Sequence, residues 1–315
     1  MSTSNQAAVR EIVRSALDTG DLASGGILVE DQVKAFITAF QEVGPLAGLI
    51  RWEKVANKSG HIPKMENGSR RLRAKSEGVS GSVLSKPTHS KVEFSLSSIR
   101  LDWEITEEAL MYNVENEGYE DRIFEAFSTE FGSSTMDLAM NGDTSTLITD
   151  PDYNFLSILD GWLVKLAAAG VQTVNGAAAA LNKDMFFDCI SALPAKWLKK
   201  LSNYRWIMHP HTLTGYMKAL SDGVGSRADE ALLDGKNDKI VGVSYTLEDS
   251  VPTDRILLAD PANFGLVYNR QMKYRKTDQG KEAVTEDKRI FVLHGDYDPI
   301  VYWGDAVVDL SNFTV

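Results

Sequence analysis

The sequence predicts an α+β fold, and three observations carry that prediction. Apolar residues recur at helical spacing over about six turns after Gly118, where Ile123, Phe124, Phe127, Phe131 and Leu138 form one stripe. In "KVEFSLSSIRLDWEIT" apolar and polar residues alternate instead, as on a half-buried strand. From residue 256 onward, "RILLADPANFGLVYNRQMKYRK" and "KRIFVLHGDYDPIVYWGDAVVDL" read as further strands, without the regular strand–helix alternation of a doubly wound sheet.

In chain order, Ala8, Val9, Ile12, Val13, Ala16 and Leu17 define a thin amphipathic helix over 6–18, and "EDQVKAFITAFQEVGPLAGLI" a second that stops near Gly44-Pro45. Neither has a core of its own, so this arm must cover a surface elsewhere. Residues 56–91 are rich in glycine, serine and Lys/Arg and poor in apolar groups, a composition that predicts an extended hairpin or loop with "ENGS" as a turn. Val92, Phe94 and Leu96 then alternate on even positions and Ile99, Leu101, Trp103 and Ile105 on odd ones. That change of phase places a bulge or bend at Ser97-Ser98. Thr106 is read as the cap of a short helix with Glu107 and Glu108 in its first turn. The long helix carries Glu120, Asp121 and Glu125 near its start and ends at Asn141-Gly142, with the glycine in a left-handed cap. Beyond it the pattern is mixed: helices over 156–169 and 182–193, the strand "YRWIMHP", the helix "HTLTGYMKAL" and a strand after "VGVSYTL".

Bulk properties exclude several classes. At 315 residues the chain predicts one large or two modest domains. No segment has the ~20 consecutive apolar residues of a membrane span, and the N-terminus lacks a secretory leader. The lone Cys189 allows no internal disulfide framework, which predicts a cytoplasmic product. A net charge of -11 argues against a surface that coats nucleic acid. The charge is unevenly spread: +7 over residues 51–100 and -14 over 101–160. These blocks read either as two surfaces that attract, within one molecule or between copies, or as two separately solvated runs.

A search for chemistry yields no convincing active site. In "STMDLAMNGDTSTLITD", Asp137, Asn141, Asp143 and Thr144 crowd beside a glycine, but the motif reads as the stop of the long helix. His209 and His211 flank a proline with no third ligand near in sequence, and His61, His89 and His294 are isolated. Cys189 reads as a buried small hydrophobe. Asp296 and Asp298 in "GDYDP" invite a cation, yet the flanking strands favour a turn there. No nucleophile elbow, phosphate loop, zincin or dinucleotide motif is in place. The sequence predicts no enzyme, cofactor or metal.

The order of these segments resembles the major capsid protein of tailed bacteriophages, the fold named for phage Hong Kong 97. "SGHIP" looks like the outgoing strand of that family's extended loop, and "WEITEEAL" like the strand-to-helix step after it. "FGSSTMDLAMNGD" is similar to the end of the spine helix, and "YRWIMHPHTLTGYMKAL" to the strand, proline turn and helix of the axial domain. "KIVGVSYTLEDSVPTDRILLADPANFGLVYNR" resembles the return to the peripheral domain. The resemblance implies an N-terminal arm over 1–50, an extended loop over 51–100 and a peripheral domain with its spine helix over 101–149. An axial domain over 150–255 and a return over 256–315 complete it.

It further implies hexamers and pentamers closing into an icosahedral head around double-stranded DNA, assembled in the host cytoplasm, with portal and decoration proteins as expected partners. The arm begins almost at once, so either a separate scaffolding protein or an N-terminal scaffold segment already cut away is implied. The charge blocks then pair Arg70, Arg71, Arg73 and Lys75 with Glu115, Glu117, Glu120 and Asp121 of an adjacent subunit. Some members cross-link a loop lysine to an asparagine; Lys58, Lys64, Lys75 and Lys86 are available, but "TDQGKEAVTEDKRIF" holds no asparagine, so no cross-links are expected. Three alternatives remain: an encapsulin shell of the same fold, a tail or decoration component, and a metal-dependent hydrolase built on Asp296, Asp298, His209 and His211.

Overall fold

The structure is a computed structural model that describes residues 44–66, 88–108, 118–222, 239–269, 273–277 and 285–314. In chain order the elements are β1 (Arg51–Val55), β2 (Ser59–Glu66), β3 (Thr88–Ser95), β4 (Ser97–Thr106) and the 24-residue α1 (Gly118–Asn141). Next come α2 (Tyr153–Leu156), α3 (Trp162–Ala168), β5 (Gln172–Asn175), α4 (Lys183–Ala192), α5 (Ala195–Leu198), β6 (Arg205–Met208) and α6 (Pro210–Asp222). The remainder is strand: β7 (Lys239–Ile240), β8 (Val243–Leu247), β9 (Arg255–Ala259), β10 (Phe264–Asn269), β11 (Lys273–Thr277), β12 (Lys288–Val301) and β13 (Val308–Ser311).

The strands form three sheets. The 14-residue β12 organises the first: β4 runs along it from Lys288↔Thr106 to Tyr297↔Ser97, β11 pairs its other edge, and β10 takes over near its end. β1 closes this sheet in parallel with β10. The second is a mixed six-stranded sheet in the order β5-β13-β9-β6-β8-β7. The third is the antiparallel hairpin β2–β3, registered from Ser59↔Ser95 to Glu66↔Thr88. A two-residue turn joins β7 to β8, and Val241 and Gly242 both take positive φ (50° and 78°), the backbone that matches hairpin twist.

Two cores meet across β6 and β9. α1 and α3 cover the five-stranded sheet, burying Phe131, Met136, Met140 and Trp162 against Phe264, Leu266, Phe291 and Leu293. Trp103 stacks between Phe127 and Phe291, with centroids 5.0 and 5.5 Å away. α4 and α6 cover the six-stranded sheet, where Phe186 meets Trp206 edge-on and also contacts Tyr216. Ile256 and Leu258 of β9 face this second core, whereas Leu257 and Ala259 face the first. Alternation across a sheet covered on both sides explains why "RILLA" is an unbroken apolar run.

Several expectations need correction. The phase change in the long strand is a break at Leu96, one residue earlier than the expected bulge, and Leu96 turns inward at 2% exposure. Thr106 is the last residue of β4, and the helix expected after it begins directly at Glu107 and Glu108. Of the expected helix over 156–169 only Trp162–Ala168 forms, as α3, and the short α2 ends at Leu156, because Gly161 N–H is drawn to Gly142 O (2.7 Å) and Asp160 is turned onto Thr144. "GDYDP" is mid-strand in β12. Its aspartates, read as turn formers, are held in place by Ser98 and Lys165.

Gly142 does end α1, but not through a left-handed backbone. A Cβ there would stand 2.4 Å from Leu159 O and 2.7 Å from Leu138 O, so the position demands glycine for close approach. α4 is a clean case of local signalling: Asn182 caps it, its side chain accepting from the N–H groups of Asp184 and Met185.

Candidate functional site

The residues expected to meet across subunits fall largely beyond the described chain. Arg70, Arg71, Arg73, Lys75, Glu115 and Glu117 lie outside the described residues, as do most of residues 1–50, and Glu120 and Asp121 fall in the first turn of α1. What the structure does define is how the hairpin that leads to the basic segment is rooted.

That root is polar and braced on three sides. Lys165 of α3 pairs with Asp298 of β12 and also donates to Pro299 O at 2.5 Å. The other oxygen of Asp298 accepts the Ser95 N–H at 2.8 Å, tying the end of β3 to the same carboxylate. Burial pushes the Asp298 carboxyl up while Lys165 pulls it down. On the hairpin's other strand, Lys64 donates to Tyr302 O at 2.5 Å and lies 5.7 Å from the Trp303 ring centre. Tyr302 is held in turn: its hydroxyl donates to Glu53 at 2.8 Å, and Arg51 stands 5.0 Å above its ring. Phe94 and Leu96 pack on Val267, Ile300 and Tyr302 as a small separate core beneath this network. Beside it opens a cleft of about 560 Å³ lined by Ser59, His61, Glu93, Thr144, Asp160 and Lys165 among others.

A second junction fastens residues 44–50 to the body. Leu46 and Ala47 are wholly buried, and the Leu46 N–H donates to Glu248 at 3.4 Å. Glu248 is itself 5% exposed, with Ser250 Oγ at 3.5 Å, and burial, reinforced by neighbouring Asp249, pushes its carboxyl up to about 7. Sequence reasoning passed over Glu248 and Lys165 and weighed Asp298 only as a cation ligand or turn residue, because each is tied to distant parts of the chain.

The residues that looked chemical are structural. Asn141 donates to both Asp137 and Ser250 O at 2.6 Å, and burial pushes Asp137 upward. Asp143 accepts from Ser145, and Thr144 donates twice to Asp160. His209 accepts the His211 N–H at 3.0 Å through Nδ1, and the two rings stack 5.0 Å apart at the start of α6. Asp296 receives the Ser98 hydroxyl at 2.6 Å. The aspartate pair belongs to the five-stranded sheet and the histidine pair to the helix after β6, so the hydrolase set is not brought together. Among the described residues no group of three or more His, Cys, Asp and Glu is placed to hold a metal. Cys189 is buried, and its thiol is pushed up to about 12 by that burial.

No family model matches the chain. One Bacillus subtilis (strain 168) protein, named "Putative prophage capsid protein YqbE", is 25% identical over 315 residues, spanning 96% of this chain and 97% of its own. In fold, the chain is similar to one in the satellite phage P4 procapsid including size determination (Sid) protein, with TM-score 0.69 at 15% identity over 90% of this chain and 91% of the other. A chain of the capsid of a native GTA particle gives TM-score 0.63 at 13% identity, covering 88% and 91%. A chain of the bacteriophage PhiM1 mature capsid gives 0.55 at 10% identity, covering 86% and 87%. The chain therefore has the fold of phage capsid proteins, and the resemblance to that family read from its sequence holds over nearly its whole length.

Proposed function

We propose that this protein is the major capsid protein of a tailed phage or prophage, a structural rather than catalytic chain that assembles as hexamers and pentamers into an icosahedral head enclosing double-stranded DNA. The observation that carries this reading is likeness at full length: a prophage capsid relative and phage capsid folds each span about nine-tenths or more of the chain. In the Hong Kong 97-like layout, residues 1–50 are the arm, 51–100 the extended loop and 101–149 the peripheral domain with α1 as its spine helix. Residues 150–255 are the axial domain, and 256–315 return to the peripheral strands and a last axial segment.

The braced hairpin supports this reading on physical grounds. A projection that bears on a neighbouring subunit transmits force only if its root is stiff, and this root is held by two lysines, a buried aspartate and an aromatic pair. Beyond it, the basic residues Arg70, Arg71, Arg73 and Lys75 pair with Glu115, Glu117, Glu120 and Asp121 of the adjacent subunit. Each exposed pair contributes roughly 0–1 kcal/mol, so the gain is in register and assembly rate. An acidic shell, at net charge -11, also keeps an inner surface from gripping packaged phosphates. A separate scaffolding protein, a portal and a decoration protein are the partners expected, with assembly in the host cytoplasm and residence in the virion.

The test is light scattering with negative-stain microscopy on the protein expressed alone and then with its neighbouring genes. Closed shells, or capsomers that close when a scaffold is supplied, support the proposal. A monomer or dimer that assembles under neither condition overturns it.

A further inference from the structure

We propose that α4 of one subunit docks on α5 of a second copy of this chain, with Phe187, flanked by Asp184 and Asp188, seated against Leu198 beside Lys199 and Lys200. The inference rests on the capsid reading and names a contact between copies that the reading leaves open.

Both faces stand on fixed supports. Asn182 caps α4, and the helix commits its inner face to the core through the buried Met185, Phe186 and Cys189. Asp184, Phe187, Asp188 and Ser191, at i, i+3, i+4 and i+7, are left together on its exposed face. Phe187 is 52% exposed there. α5 is pinned from behind. Trp197 packs on Trp303 with ring centres 5.8 Å apart, and Lys196 pairs with Asp305 and lies 5.0 Å from the Trp197 ring centre. Leu198 at the end of α5 is 37% exposed, and the exposed Lys199 and Lys200 follow it.

The occupant follows from complementarity. One exposed apolar side chain on a surface is ordinary. An aromatic ring flanked by two acids and an aliphatic side chain flanked by two lysines are instead two halves of one contact, with an apolar centre and a rim of opposite charges. Neither half is used within the subunit. Phe187 and Leu198 both keep their exposure in the folded chain, and among the described residues no ion pair engages Asp184, Asp188, Lys199 or Lys200. The two halves are different patches of the same chain, so the contact between copies runs head to tail. Such contacts close into rings when the rotation from copy to copy returns on itself, which is the geometry a capsomer requires.

The experiment oxidises assembled particles of Phe187→Cys/Leu198→Cys and reads chain size on non-reducing gels. Cys189, at 1% exposure, stays out of the oxidant's reach. A ladder of disulfide-linked chains that climbs past the dimer is expected, and particles mixed from the two single variants should yield dimers with one of each. In parallel, Asp184→Lys/Asp188→Lys should lower particle yield about tenfold, and more at low salt, where like charges are least screened. Lys199→Asp/Lys200→Asp should do the same, and combining all four substitutions should restore the yield. Thermal midpoints of the unassembled subunits check that each charge variant folds, and the disulfide ladder decides where one does not. No linkage between copies, linkage that stops at the dimer, dimers of one single variant alone, or a folded four-site variant that fails to recover overturns the contact while leaving the capsid reading intact. Wild-type protein that never forms particles overturns both.

Discussion

Replacing Lys165 with methionine isolates the ion pair at the hairpin root. Methionine keeps most of the aliphatic stem and removes the ammonium, so the change is chiefly electrostatic. The Asp298 side chain is 6% exposed and Lys165 27%, so the carboxylate left behind has little access to water. Breaking a buried pair by removing one partner costs about 3–5 kcal/mol, and the Ser95 N–H that Asp298 retains places this case near ~3 kcal/mol. Urea unfolding of unassembled subunits at pH 7.5 measures it. The pH dependence supplies a second, independent check. Burial raises the Asp298 carboxyl and Lys165 lowers it, so the substitution lets its folded-state value rise further. For a raised carboxyl, stability is fully present below the unfolded value and lost as pH rises through the folded one. The variant's deficit should therefore shrink between pH 7.5 and 4.5 as Asp298 takes up a proton. A deficit under about 1 kcal/mol, or one that is constant with pH, would mean that the ammonium is not what stabilises Asp298 in the fold.

Three further outcomes follow from the same geometry. Glu248 has its carboxyl raised from 4.5 to about 7 by burial and by Asp249, so wild-type stability should decline as pH rises from about 4.5 through 7, by up to ~3 kcal/mol. Glu248→Gln should flatten that slope, read as urea midpoints across pH 5–8. Gly142→Ala should cost about 2–3 kcal/mol in the same unfolding assay, because its Cβ meets two backbone carbonyls that cannot swing aside. Cys189, 1% exposed with its thiol pushed up to about 12, should react with a disulfide reagent at native pH about a thousandfold more slowly than a free thiol, and rapidly in denaturant.

Elements with one dominant local period were legible in the sequence, and elements defined by partners were not. α1 was readable because its apolar stripe recurs at helical spacing from Ile123 to Leu138, and α4 was placed at 182–193, where Asn182 caps it. The late start of the helix expected over 156–169 was hidden, since Gly161 and Asp160 hold the chain out of helix through contacts with Gly142 and Thr144, 19 and 16 residues earlier. "GDYDP" misled for a related reason. Two aspartates, a glycine and a proline carry turn propensity, but β12 is paired along most of its length and each aspartate has a tertiary partner, so packing overrides composition. The candidate site divides the same way: charge blocks are visible in any sequence, whereas the Lys165–Asp298–Ser95 brace links three segments spread over 203 positions.

β12 is where these strands of reasoning meet. Its first half lies between β4 and β11, and its second half pairs with β10 and carries Asp298 and Pro299, the groups that grip Lys165. Tyr302 and Trp303, which hold Lys64, follow within two residues of its end. One strand therefore supports the sheet under α1 and sets the angle at which the hairpin leaves the body. In the proposed shell, that coupling has a consequence: a load on the hairpin reaches the sheet beneath α1 through the covalent chain and through the polar contacts of Lys64 and Lys165. Weakening the brace at Lys165 should then alter how subunits fit together before it unfolds any of them, because the geometry of assembly depends on the angle that the brace holds.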